Sequence, residues 1–144
     1  MRTACGDLWD WHPGTLVAIT TGAGLDRRGR ALMLRGVARQ ARERYQELPI
    51  VLGELLRTQG NRVHLLPHQL VSFPVEDDPF EIARPEMIRR SCAELVDLAD
   101  RLGWSEVVLP RPGCGGGLLD WQLIQPVLAS LLDDRFVVVA PPGI

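Results

Sequence analysis

The stretch that decides the fold is VVLPRPGCGGGLLDW, residues 107–121. Its apolar start predicts a buried strand, and the residues from Trp121 onward predict a helix. Between them lies a loop with four glycines in the five residues 113–117. Glycine is needed where the backbone takes positive φ or approaches a ligand closely. A strand, a glycine loop and a helix bring several N–H groups to one point, which suits a diphosphate; a plain connection is the alternative.

This loop is neither of the two common nucleotide-binding glycine motifs. All 16 basic residues of the chain are arginine, so the Gly-Lys-Ser/Thr of a Walker A loop is excluded. A Rossmann motif belongs to a strand near the N-terminus, whereas this loop lies late in the sequence and only a few residues follow the next strand. The absence of lysine also excludes Schiff-base chemistry and a lysine general base.

Helices and strands alternate outward from this stretch, which predicts an α/β fold. A β-branched run at 15–21 predicts a strand that ends in the glycines of 22–24. Residues 74–85 read as an acidic, solvated loop, and Pro126 favours a last helix that begins near Gln125. The other predicted elements are a helix from Ala31, a helix at 50–59, strands at 62–66 and 70–73, a helix at 85–102, and strands at 106–109 and 135–140.

Composition predicts one globular domain, residues 1–144, because 46% of the residues are hydrophobic and 24% are charged. A net charge of −2 argues against binding bare nucleic acid by charge. The three cysteines have no metal-binding spacing, and no apolar run reaches the roughly 20 residues of a membrane span. We therefore expect a cytoplasmic monomer with no signal peptide, metal or membrane contact.

Three motifs in this order resemble a macro domain: Gly6-Asp7-Leu8, the segment 35–41 (RGVARQA), and residues 109–121. The last is most similar to the branch of terminal ADP-ribose protein glycohydrolase and the DNA ADP-ribosyl glycohydrolase antitoxins. The resemblance implies a three-layer α/β/α sandwich around a mixed, roughly six-stranded sheet, with ADP-ribose in a cleft at its crest. It implies no cofactor.

The resemblance also implies a role for each motif in binding ADP-ribose. Asp7 accepts a hydrogen bond from the adenine amine, residues 20–22 border the distal ribose, and residues 113–118 wrap the diphosphate. The implied ligand-binding residues are Asp7, Leu8, Thr20, Thr21, Gly22, Arg35, Gly36, Pro112, Gly113, Cys114, Gly115, Gly116, Gly117 and Leu118.

The catalytic group stays unknown, because the sequence departs from the branch where its catalytic lysine and aspartate are expected. Arg35 and Gly117 stand at those positions by resemblance and are the candidates for the catalytic role. An arginine stays protonated and is a poor nucleophile, and glycine has no side chain, so a lysyl adduct is excluded. Cys114 has no base near it in sequence and is not expected to be a nucleophile.

Two main functions follow, and the sequence leaves both open, beside a phosphatase or deacetylase that acts on small ADP-ribose derivatives. One is a hydrolase that removes ADP-ribose from modified macromolecules, foremost from acidic protein side chains, with water held by the loop N–H groups. The other is a reader that binds ADP-ribose without turnover. The expected partner is ADP-ribose or an ADP-ribosylated protein, with ADP-ribosylated nucleic acid as the other possibility. Trp9, Trp11, His12 and Phe73 are either an adenine wall or structural residues.

Overall fold

Six strands form one sheet in the order β1-β6-β5-β2-β4-β3 in the computed structural model, which describes residues 1–142. Five of the strands are parallel, and β3 pairs antiparallel with β4. The sheet is therefore mixed and six-stranded, as predicted. The strands are β1 (Arg2–Cys5), β2 (Leu16–Thr21), β3 (Leu65–Leu66), β4 (Leu70–Pro74), β5 (Val107–Pro110) and β6 (Phe136–Ala140).

Helices cover both faces of the sheet, so the predicted three-layer α/β/α arrangement is confirmed. The helices are α1 (Gly36–Arg44), α2 (Leu48–Gln59), α3 (Pro85–Leu102) and α4 (Trp121–Leu131). Alternate residues of β2 enter different cores: Leu16 packs with side chains of α3 and α4, and Val17 packs with side chains of α1 and α2. Strands buried on both faces have no polar side, which is why their sequences read as continuous apolar runs.

Strand β1 was not predicted, and its sequence explains why. Its four residues, RTAC, are mostly exposed and carry no apolar alternation. The strand forms because it lies at the sheet edge and pairs in parallel with the buried β6, from Arg2 opposite Val137 to Cys5 opposite Ala140. Strand β1 therefore depends on pairing with β6, about 135 residues away in the sequence, and its own residues do not indicate a strand.

The helix predicted from Ala31 begins only at Gly36. Ala31 donates its N–H to Pro49 O at 2.8 Å, and Leu32 donates to Gly24 O at 2.9 Å. These tertiary partners take the backbone groups that a first helical turn would use. The prediction for this segment was wrong because an apolar spacing does not show what else the backbone can bind.

Helix α4 begins at Trp121 and carries Pro126 in its interior, so the predicted start near Gln125 was wrong. Asp120 is the N-cap, and its side chain accepts from the N–H of Gln122 at 2.9 Å. This cap and the apolar contacts of Ile124 and Leu128 offset the hydrogen bond that a proline removes from a helix. The helix therefore begins directly after the glycine loop.

Among residues 1–142, no helix is long and apolar enough to cross a membrane.

Candidate ligand-binding cleft

The carboxyl ends of five parallel strands line a cleft of about 770 Å³. The strand ends are level: Cys5 lies opposite Ala140, Val139 opposite Pro110, and Thr21 opposite Pro74. The segments that follow β1, β6, β5, β2 and β4 therefore meet along one edge of the sheet. Ligands of open α/β sheets bind in this place, outside the carboxyl ends of the strands.

Asp7 lies at the β1 end of this cleft. Its side chain is exposed, and one carboxylate oxygen, Oδ1, accepts from the N–H of Trp9 at 3.0 Å, which caps a one-turn 3-10 helix at Leu8–Trp11. Gly6 donates to Ala140 O at 2.8 Å and ties the turn to β6. The cap uses one oxygen of Asp7, so the other is available to a ligand in the cleft. Leu8 also lines the cleft and is only 6% exposed.

The aromatic residues near Asp7 are structural, which resolves the alternative that the sequence left open. Trp9 is buried and donates its indole N–H to Gln40 Oε1 at 2.8 Å, and the Arg44 guanidinium lies 4.5 Å from its ring centroid. Trp9, Trp11 and His12 are not among the residues that line the cleft. Phe73 is fully buried in the sheet core.

The glycine loop after β5 forms the middle of the cleft wall. Gly113 has φ +75° and its carbonyl oxygen accepts from Leu119 N at 2.8 Å, which folds the loop back on itself. Among the described residues, the N–H groups of Gly115, Gly116 and Gly117 have no hydrogen-bond acceptor, and all three residues line the cleft. Consecutive unpaired N–H groups in a loop form an anion-binding concavity.

Two residues of the predicted loop set do not reach the cleft. Pro112 is buried beneath the loop, and Leu118 is 74% exposed without being part of the cleft wall. The other predicted residues of the loop, Gly113 and residues 114–117, are brought together there.

Gly117 is a glycine for a packing reason. A Cβ atom at this position would lie 2.7 Å from Gly113 O and 2.8 Å from the Cβ of Ala83. Ala83 also donates its N–H to Gly117 O at 3.0 Å, so the loop is pinned to the segment that follows β4. The fold of this loop therefore excludes a carboxylate side chain at position 117, and Gly117 can contribute only backbone groups.

Arg35 crosses the cleft between the glycine loop and the segment after β4. Its Nη2 donates to Pro79 O at 2.7 Å and lies 3.8 Å from Glu76 Oε2. A Cβ atom at Gly116 would lie 2.5 Å from Arg35 Nε, so the guanidinium rests against the loop backbone. Arg35 is thus placed to position neighbouring groups, and its charge can hold an anion.

Thr20, Thr21, Gly22 and Gly36 also line the cleft, as the resemblance implies. Thr21 ends β2, and its carbonyl oxygen accepts from Val75 N at 3.0 Å, which ties this end of β2 to the residue before Glu76. Gly22 then passes directly against the Glu76 side chain, since a Cβ on Gly22 would lie 3.2 Å from Glu76 Cγ.

Glu76 is a charged residue of the cleft wall that sequence reasoning missed. It was assigned to a solvated acidic loop, but only 10% of its side chain is exposed, and it lines the cleft. Its Oε2 atom is buried and accepts no hydrogen bond from any described residue. Burial raises the pKa of this carboxyl above its usual range; the Arg35 guanidinium opposes the shift, and Asp78 and Glu81 add to it. The signal that could have found it is its position directly after a buried strand, β4.

Cys114 lines the cleft as a thiol rather than a thiolate. Burial raises its pKa to about 11, and its Sγ lies 3.5 Å from Pro112 O. Since the thiolate is the nucleophile, this environment makes Cys114 inert at neutral pH. Within residues 1–142, no group of three or more His, Cys, Asp or Glu side chains is arranged to hold a metal ion.

Comparison with known proteins gives a fold but no sequence family. No family model and no curated protein matches the sequence. Among solved structures, the macrodomain of Mycobacterium tuberculosis DarG superposes with a TM-score of 0.80 and 21% identity, over 99% of both chains. The macrodomain of Thermus aquaticus DarG gives a TM-score of 0.79 and 20% identity, over 98% of this chain and 97% of that one.

A third structure was solved with a ligand. It is Thermosipho africanus DarTG in complex with ADP-ribose, with a TM-score of 0.80 and 16% identity, over 99% of this chain and 42% of that chain. At these identities the likeness establishes the fold alone. The resemblance drawn from the glycine-loop motif is confirmed at that level: the chain has the macrodomain fold.

Proposed function

We propose that this protein binds ADP-ribose and releases it by hydrolysis from modified macromolecules, foremost from acidic protein side chains. The observation that carries the proposal is the layout of the cleft. A carboxylate stands at the β1 end, three unpaired loop N–H groups lie in the middle, and residues 20–22 line the cleft beyond the loop. That order matches adenine, diphosphate and distal ribose. ADP-ribose as the ligand is supported by Thermosipho africanus DarTG, which contains the same fold and was solved in complex with ADP-ribose.

The proposed reaction needs no lysine. The link between ADP-ribose and a carboxyl side chain is an ester, whose carboxylate is a good leaving group. A water molecule held beside the anomeric carbon attacks it, and holding the reactants in place supplies several kcal/mol of the barrier. The loop N–H groups stabilise the charged diphosphate during this step. Arg35, as an always-charged group beside the cleft, binds an anion and does not accept the proton.

A reader without turnover is the second candidate function. The observation that favours it is Gly117, where packing excludes a side chain from the loop that faces the ligand. The chain also has no lysine with which to form a covalent adduct. Both candidates require ADP-ribose binding, and they differ only in whether the linkage is cleaved.

The test uses an ADP-ribosyltransferase that has modified its own acidic residues. The protein is incubated with it, and free ADP-ribose is measured over time, with a substrate modified on arginine as the control. We expect release from the acidic linkage and none from the arginine linkage. Retention of the modified protein on the macrodomain without release supports the reader. Calorimetry showing no binding of ADP-ribose contradicts both candidates.

A further inference from the structure

Glu76 is a buried carboxylate with one oxygen left unpaired, and this requires an explanation. Only 10% of the side chain is exposed, and Oε2 accepts no hydrogen bond from residues 1–142. The nearest cation, Arg35 Nη2, is 3.8 Å from Oε2, beyond hydrogen-bond distance, and is already bonded to Pro79 O. A buried acceptor without a donor costs free energy, so such groups are found where a ligand or a reaction uses them.

The rest of Glu76 is held firmly in place. Its carbonyl oxygen accepts from Asn61 Nδ2 at 3.0 Å, and its Cγ packs against Gly22. The neighbouring N–H of Val75 donates to Thr21 O, which fixes the end of β4 against the end of β2. The carboxylate is therefore carried on a rigid backbone in the wall of the cleft, as a reacting group requires.

The sheet order sets the distance between Glu76 and Asp7. β1 and β4 are four strand spacings apart in the order β1-β6-β5-β2-β4, which corresponds to about 19 Å at 4.8 Å per strand. The glycine loop follows β5, between them. A ligand with its adenine at Asp7 and its diphosphate at the loop reaches the β2 and β4 end with its distal ribose. Glu76 lies at that end, against Gly22.

We infer that Glu76 is the general base of the proposed hydrolysis, an assignment that rests on the proposed function. A water molecule between the Glu76 carboxylate and the distal ribose gives a proton to that carboxylate as the water oxygen bonds to the anomeric carbon. The bond from that carbon to the ester oxygen breaks, and the electron pair leaves with the carboxylate of the modified protein. Glu76 then passes its proton to solvent. The products are ADP-ribose and the free carboxyl side chain.

The surroundings of Glu76 suit a general base. Burial raises its pKa, the carboxylates of Asp78 and Glu81 raise it further, and Arg35 opposes both effects. A base with a raised pKa takes a proton from water more readily, and proton transfer of this kind contributes about 10²- to 10⁴-fold to rate. Arg35 opposes the shift and so favours the ionised carboxylate, which is the form that can accept a proton.

The test compares Glu76→Gln with Asp77→Asn, which removes a carboxylate from the adjacent exposed position outside the cleft wall. We expect Glu76→Gln to slow release of ADP-ribose by about 100-fold or more, while its Kd for ADP-ribose changes by less than about threefold. Asp77→Asn should leave both the rate of ADP-ribose release and the Kd for ADP-ribose unchanged. Glu76→Asp should recover part of the rate, because it restores a carboxylate. In the wild type, the rate should fall as the pH falls through the pKa of Glu76.

Each other result has a separate meaning. If the wild type binds ADP-ribose but releases none, the proposed function is wrong, and this assignment falls with it. If the wild type is active and Glu76→Gln retains its rate, only the assignment of Glu76 is wrong. Loss of both rate and affinity in Glu76→Gln makes the residue a binding group and overturns its role as a base. A wild-type rate that does not change between pH 4 and pH 8 overturns it without any variant.

Discussion

The two ends of the cleft each carry a carboxylate after a parallel strand, but the protein treats them differently. Asp7, after β1, is exposed and uses one oxygen to cap the 3-10 helix that follows it. Glu76, after β4, is buried and has an oxygen with no donor among the described residues. A satisfied carboxylate at the surface is suited to recognition, and an unsatisfied, buried one to proton transfer. We therefore propose different roles for these two carboxylates, because one is exposed and the other is buried.

Among the substitutions that distinguish the two ends of the cleft, we expect Asp7→Asn to have the largest effect on ADP-ribose affinity. The amide oxygen can still accept from Trp9 N, so the cap is kept, but the negative charge that attracts the adenine amine is lost. We expect ADP-ribose affinity to fall by about 1.5–3 kcal/mol, measured by calorimetry, with an unchanged Tm. Asp10→Asn, on the same 3-10 helix but outside the cleft wall, is the matched control and should bind normally. An unchanged Kd for Asp7→Asn would show that Asp7 is only a capping residue.

The glycine loop lies between the two ends of the cleft. We expect substitution to destabilise the protein at one of its glycines and to have little effect at another. A methyl group at Gly117 would meet the backbone oxygen of Gly113 at 2.7 Å, whereas one at Gly115 meets no atom within 4 Å. We expect Gly117→Ala to lower the free energy of unfolding by about 1–3 kcal/mol, since backbone must shift to accommodate it. Gly115→Ala should change it by less than about 0.5 kcal/mol. Thermal unfolding of the ligand-free protein measures both, and equal Tm values would contradict the packing role of Gly117.

The smallest expected effect is on the pH dependence of stability at the Glu76 end. The folded state holds the pKa of Glu76 above its unfolded value, so folding favours the protonated form. The stabilising contribution of the protonated Glu76 carboxyl is fully present below its pKa in the unfolded state. It is lost as the pH rises through its pKa in the folded state. Glu76→Gln should therefore have a higher Tm than the wild type near pH 8 and show no such gain near pH 4. Asp77→Asn should show no comparable difference, and a lower Tm for Glu76→Gln at both pH values would contradict the cost of the buried charge.

Local sequence patterns predicted several elements of the fold correctly. Helix α3 begins and ends at the predicted residues, because Pro85 opens it and Gly103, in the left-handed conformation, closes it. The glycine run after β5 predicted a loop that could face a ligand, because only glycine leaves the backbone open on that side. Of the predicted ligand-binding residues, those in β2, in the α1 entry and in most of the loop do reach the cleft.

The errors share one cause. Helix α1 began five residues later than predicted because Ala31 and Leu32 donate their N–H groups to segments distant in the sequence. Pro112 and Leu118 belong to the loop but not to the cleft wall, since Pro112 is buried and Leu118 is exposed outside that wall. A local pattern shows what a segment can form by itself, and it does not show which backbone or side-chain groups tertiary contacts will occupy.

By itself, the sequence determined the α/β class, the position of the glycine loop and the exclusion of lysine chemistry, because these depend on residue type and short-range spacing. Only the tertiary structure decided that Glu76 is buried in the cleft while Asp77, beside it, is exposed. That difference arises where the ends of β2 and β4 meet: Gly22 lacks a side chain, and Glu76 fills the space. Whether a side chain is buried depends on the residues packed around it. The residues around Glu76 are at positions 22, 35 and 61, which only the folded sheet brings together.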